Sequence, residues 1–155
     1  MQVREARPGE EDAVLTLYEW LFAPPGVRPS AWEPERARAA LVGAMESDDA
    51  AVLVADDGGT LAGLCTAYID LESVRYGRRC WVEDLAVAPD RRSEGIEAAL
   101  LGAAREWARG RGATHLELDT GEGRLDAQRF YEREGPAWRS IGYAWVLGPG
   151  TDATS

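Results

Sequence analysis

The strongest constraint on the fold of this chain is a change of apolar period between residues 81 and 107. Trp81 to Ala88 reads as a strand closed by Pro89, with turn-forming and charged residues to follow. Ile96, Ala99, Leu100, Ala103 and Trp107 then mark one face of an amphipathic helix that ends near Gly110 to Gly112. Thr114 to Thr120 is the next strand. A strand, a helix and a strand in that order form a right-handed parallel unit. The join between strand and helix is Arg91-Arg92-Ser93-Glu94-Gly95-Ile96-Glu97. First-turn N–H groups have no helical partners and carry partial positive charge, so a join of this kind is an anion site suited to a pyrophosphate.

The flanking segments predict the rest of a mixed sheet. Gln2 to Ala6 reads as a first strand, and the acidic run after Pro8 starts a helix with Val14, Leu15, Leu17, Tyr18 and Leu21 on its apolar side. Ala23-Pro24-Pro25-Gly26 ends it, and a second helix is expected over Pro34 to Met45. Ala51 to Ala55 and Leu61 to Asp70 are strands around Asp57-Gly58-Gly59, a hairpin signal, and a further turn at Ser73 to Gly77 leads into Arg78 to Ala88. Asp126 to Glu134 reads as a short helix and Ala137 to Leu147 as a bent strand or hairpin. The expected class is α/β (mixed α+β): a mostly antiparallel sheet with one parallel strand pair and helices on both faces. Residues 1–148 form a single domain in this reading, followed by a flexible tail, residues 149–155.

Composition narrows the function. The net charge of −10 argues against binding a nucleic-acid backbone and permits a cationic partner. All 17 basic residues are arginine, so no lysine serves as a Schiff base or phosphate ligand. Two cysteines and one histidine, Cys65, Cys80 and His115, make neither a disulfide framework nor a zinc site, and no metal is expected. Cys65 and Cys80 lie on hairpin strands that could bring them face to face, but reduced thiols are the expectation. His115, alternating with Leu116, reads as structural. No apolar run has signal or membrane-spanning length, which makes a cytoplasmic protein the expectation.

Arg92, Gly95 and the position of Glu97 resemble the acetyl-coenzyme A loop of the GNAT superfamily of N-acetyltransferases, Arg/Gln-x-x-Gly-x-Gly/Ala, with Glu97 in place of the final small residue. Ala127-Gln128-Arg129-Phe130-Tyr131-Glu132-Arg133-Glu134-Gly135 is similar to the family's Ala-x-x-Phe-Tyr-x-x-x-Gly. Trp81-Val82-Glu83-Asp84-Leu85-Ala86-Val87 is similar to a strand of diamine acetyltransferases. The resemblance implies acetyl-coenzyme A as co-substrate, held by Arg91, Arg92, Ser93, Glu94, Gly95, Ile96 and Glu97. It also implies that backbone groups of Leu85 and Val87 meet the thioester and the pantetheine, and that Tyr131 protonates the departing thiolate. Arg124 stands where the family usually has asparagine.

Acetyl transfer needs a neutral amine, so a carboxylate must accept a proton, and Glu83 is the candidate base. Asp84 points to the opposite face by strand alternation, and Trp81 occupies the position at which other branches place a glutamate. Phe22, Arg28 and Trp32 lie in the region implied for the acceptor, where Trp32 and Trp81 could line an amine pocket. At Glu97 the helix dipole favours a carboxylate by about 0.3–1 kcal/mol, whereas a phosphate charge about 4 Å away opposes it by about 1–4 kcal/mol, so weak coenzyme binding is expected. The acceptor is a primary amine of a small molecule or protein. A weak or inactive acyl-coenzyme A sensor on the same fold is the alternative, and a different acyl donor is a second one. Trp138, Tyr143 and Trp145 would make a poor exposed edge and point to a homodimer.

Overall fold

The computed structural model describes residues 1–148; the tail expected over residues 149–155 lies outside the described residues. A five-stranded sheet runs in the order β1-β2-β3-β4-β5, with β1 Gln2–Glu5, β2 Ala50–Asp57, β3 Thr60–Ser73, β4 Gly77–Val87 and β5 His115–Glu117. The first four strands are antiparallel neighbours, and β4 pairs with β5 in parallel. Gly58 and Gly59, both at positive φ, turn β2 directly into β3, with Asp57 opposite Thr60.

Helices cover both faces. Along β2, Ala51, Leu53 and Ala55 pack with Ile96, Leu100, Ala104 and Ala108 of α4 (Ile96–Gly110). The alternate residues Ala50, Val52 and Val54 pack with Val14 and Leu17 of α1 (Glu11–Leu17) and with Leu41 and Ala44 of α3 (Pro34–Glu46). This is period-two burial, with each face of the strand feeding its own core. Between α1 and α3 the helical run breaks at Tyr18 and resumes as α2 (Glu19–Phe22). Glu33 caps α3, its carboxylate accepting from the Glu35 and Arg36 N–H groups. The last helix, α5, spans Leu125–Arg133. Among the described residues no helix is long and apolar enough to cross a membrane.

Two expectations are corrected. Residues 137–147 form no strand, and Ile141, Tyr143, Trp145 and Leu147 stand 76%, 77%, 79% and 97% exposed. Their alternation is that of a strand, but β5 pairs over only three residues and offers little edge on which to dock one. Cys65 and Cys80 do not face each other: Cys65 is opposite Leu85 and Cys80 opposite Ile69, and both are free and buried.

The β3–β4 ladder has a local irregularity that shapes the site. Thr66 pairs with Asp84 while Ala67 pairs with Val82, so Glu83 is an extra residue on β4, a β-bulge. The bulge changes which residues face α4. Before it, Cys80 and Val82 pack there; after it, Leu85 and Val87 do.

Candidate active site

β4 and β5 pair only from Arg79/His115 to Trp81/Glu117, and beyond that point they part. The Ala88 N–H donates to Ala62 O on β3 at 2.9 Å. By alternation, the N–H groups of Val87 and Leu85 point the other way, toward the gap left by β5. That gap is a cleft of about 240 Å³. It is lined by Glu83, Asp84 and Leu85 of β4, Asp119 and Gly121 after β5, Leu21 and Phe22 of α2, and Arg124 and Tyr131 at α5.

The cleft thus brings together Glu83, Leu85 and Tyr131, three of the residues singled out from sequence. Val87 and the loop Arg91–Glu97 do not line it; the loop stands where β4 hands over to α4. Tyr131 is pushed up to about 12, first by desolvation, with the Asp119 and Glu97 charges adding and Arg124 opposing. A phenol held protonated in this way is a proton donor.

Glu83 is exposed by area yet sits in a concave, acidic surrounding. Desolvation raises its pKa, as do the charges of Asp84, Asp119 and Asp70, while a hydrogen bond from the Trp81 indole N–H, 2.6 Å to Oε2, works against them. Asp84 does not follow simple alternation, because the bulge leaves both carboxylates on the α1–α3 side of the sheet. There Asp84 Oδ2 accepts from Tyr18 Oη at 2.8 Å and Thr66 Oγ1 at 2.6 Å. Burial still raises Asp84 above the usual carboxylate range.

Glu83 and Asp84 also line a second cavity of about 350 Å³, walled by Tyr18, Trp32 and Tyr68. Of the acceptor residues expected from sequence, Phe22 lines the cleft and Trp32 the second cavity, their rings 4.9 Å apart. Arg28 lies over the Phe22 ring and pairs with Glu19 instead of lining either cavity. Trp81 lines neither cavity, and the Arg79 guanidinium covers one face of its ring at 5.2 Å. His115 lies beside the stacked rings of Tyr76 and Trp138, with Nδ1 3.0 Å from Thr114 Oγ1.

At the loop, Ser93 and Gly95 adopt positive φ of 69° and 84°, which turns the chain into α4 with no side-chain cap on its first N–H groups. Arg91 is committed to two carboxylates: Nε to Glu94 at 3.0 Å and Nη1 to Asp57 at 2.8 Å. Arg92 is exposed and forms no ion pair among the described residues. Glu97 is half-buried in the first turn of α4 and does not line the cleft.

Two groups near the cleft lay outside the sequence expectation. Trp81 serves Glu83 as a hydrogen-bond donor, a relation that its spacing of two along one strand face could have signalled. Arg124 reaches from the start of α5 to Leu21 O at 3.0 Å, tying the two walls of the cleft together. No local pattern signals that contact.

Comparison with known proteins bears on the family and the fold. An uncharacterized N-acetyltransferase of Bacillus subtilis (strain 168), YhfO, is 28% identical over 135 residues, covering 87% of this chain and 89% of the relative. An aminoglycoside N(6')-acetyltransferase type 1 of Klebsiella aerogenes is 38% identical over 75 residues, covering 44% of this chain and 46% of the relative. Among solved structures, an aminoglycoside N-acetyltransferase in complex with CoA superposes with a TM-score of 0.78 at 18% identity, over 94% of this chain and 95% of its own, a likeness of fold. The profile of the Acetyltransferase (GNAT) family matches residues 14–135, and the chain belongs to that family.

Proposed function

We propose that the protein transfers an acetyl group from acetyl-coenzyme A to a primary amine of a small cationic molecule, by direct attack within a ternary complex. The observation that carries this reading is the cleft itself, in which Glu83, the Leu85 backbone and Tyr131 share one cavity between the parted strands. The family and the CoA-bound structural neighbour support the coenzyme as co-substrate. The residues fit it: unpaired N–H groups on β4, an uncapped start of α4, and a cleft leading to Tyr131.

Glu83 accepts a proton from the substrate ammonium, which frees the nitrogen lone pair. The amine nitrogen bonds to the thioester carbon, and the Leu85 N–H is placed to stabilise the oxyanion. The C–S bond then breaks, the Tyr131 phenol protonates the sulfur, and the nitrogen's second proton restores the phenol, while the proton taken by Glu83 is the one released. One amide, one thiol and one released proton balance the step.

The second cavity, with Tyr18, Trp32 and Tyr68 around two carboxylates, suits the body of an amine. The aminoglycoside acceptor named for two of the similar proteins supports a small polyamine-like or aminosugar acceptor, as does the likeness of Trp81–Val87 to diamine acetyltransferases. The exposed aromatic segment 141–147 supports a homodimer, and the composition supports a cytoplasmic location. A weakly active coenzyme sensor is the second reading, and Glu97 together with the commitment of Arg91 to Asp57 and Glu94 favours it.

The pH dependence of Glu83→Gln separates the readings. The defect in kcat/KM should be largest at low pH, where the substrate amine arrives protonated, and should shrink as pH rises and free amine forms in solvent. A profile parallel to wild type, with unchanged melting, removes Glu83 from the mechanism. At the coenzyme loop, Glu97→Gln should tighten acetyl-coenzyme A by about 1 kcal/mol, because a like charge in the first turn of α4, beside the proposed phosphate site, is removed. Titration calorimetry reads this directly, and equal affinities would show that Glu97 turns away from the bound phosphates.

A further inference from the structure

We infer that Trp81 is a positioning residue for the proposed base: its indole N–H holds the Glu83 carboxylate in one orientation among neighbouring acids. The inference rests on the reading of Glu83 as base. It begins with a ladder along one face of β4, residues 79, 81 and 83, all placed before the bulge changes the alternation. Trp81 Nε1 donates to Glu83 Oε2 at 2.6 Å. The Arg79 guanidinium lies over the indole at 5.2 Å and is itself fixed by Asp70, at 3.0 and 2.9 Å, and by Glu117 at 3.4 Å. A cation over the ring anchors the indole and withdraws electron density from it, which makes the N–H a stronger donor.

The surroundings show why such a donor matters. Asp84 beside Glu83, Asp119 after β5 and Asp70 from β3 all disfavour a charged Glu83, and so does desolvation. Tyr18 and Tyr68 are neutral phenols near enough for the Glu83 charge to oppose their ionisation. Tyr131 and Arg124 share the cleft with Glu83, and Arg36 of α3 shares the second cavity, its Nη2 directed to Ala31 O. Trp81 is the hydrogen-bond donor seen on Glu83.

A neutral donor suits this position better than an arginine would. It stabilises the carboxylate without cancelling the charge that attracts an ammonium substrate. It also occupies Oε2 alone and leaves Oε1 for the incoming amine.

Two measurements on the full chain test this. The first is the acid limb of kcat/KM for Trp81→Phe, which keeps a ring and removes the donor. Losing a bond that favours the charged form moves the limb upward by about one pH unit, so the variant falls about tenfold behind wild type at the acid end and the deficit shrinks as pH rises. The second needs no turnover. In the ¹⁵N-labelled protein, the indole N–H resonance that disappears in Trp81→Phe should shift with pH as Glu83 titrates in wild type and stay fixed in Glu83→Gln. A limb that does not move, a deficit equal at every pH, or an indole resonance that ignores Glu83 overturns the inference. If the resonance follows Glu83 while Glu83→Gln keeps the wild-type rate profile, the base assignment fails and takes the purpose of Trp81 with it.

Discussion

Tyr131→Phe is expected to lower turnover by about 10²-fold or more while leaving acetyl-coenzyme A affinity nearly unchanged. The substitution removes one hydroxyl and keeps the ring that packs at the floor of the cleft with Leu85 and Ala127. Burial holds the phenol protonated, with a pKa of about 12, so across the neutral range it is a donor and never a competing base. Steady-state kinetics on an accepted amine, paired with calorimetry for the coenzyme, make the test. Wild-type turnover in the variant would show that Tyr131 only packs and that water or another group protonates the sulfur.

The second large effect is structural. Gly26→Ala should lower the melting temperature by roughly 5–10 °C and raise KM for the amine, through a cost of about 2–3 kcal/mol. A Cβ at this position would lie 1.9 Å from Leu21 O, 2.4 Å from Arg124 Nη2 and 3.0 Å from Ala23 O. Two of those atoms are backbone, so the loop itself must move. Leu21 O is also the acceptor of the Arg124 bond that ties the cleft walls together, and Val27 and Pro29, just beyond, line the cleft. Melting curves and amine KM for the variant decide the matter; a melting point within about one degree of wild type would mean that the loop absorbs the methyl group without cost.

Much of this architecture could be read from the chain. Pro34 announced α3, the Gly58-Gly59 pair announced the β2–β3 hairpin, and the change of period announced β4 and α4, all within about three residues of their observed ends. These are local signals, carried by residues that act on their own backbone. What failed depends on pairing between distant segments. Alternation placed Glu83 and Asp84 on opposite faces of one strand, and only the ladder with β3 shows that Glu83 is the extra residue. Likewise, alternating apolar residues over 137–147 describe a segment able to form a strand, but a strand also needs an edge, and β5 offers three residues. Tyr131 was legible because its motif lies on one short helix. The bond from Arg124 to Leu21 O was not, because it joins segments more than a hundred residues apart in sequence.

The bulge at Glu83 also bears on how this sequence can change. Deleting either Glu83 or Asp84 would restore regular pairing with β3 at this point, and Cys80, Val82, Leu85 and Val87 would all keep their places beneath α4. The same deletion would leave one carboxylate where the bulge sets two side by side on one face. In β4 the hydrophobic core therefore tolerates the loss of the extra residue and the paired acids do not, so packing alone gives no reason to keep the bulge.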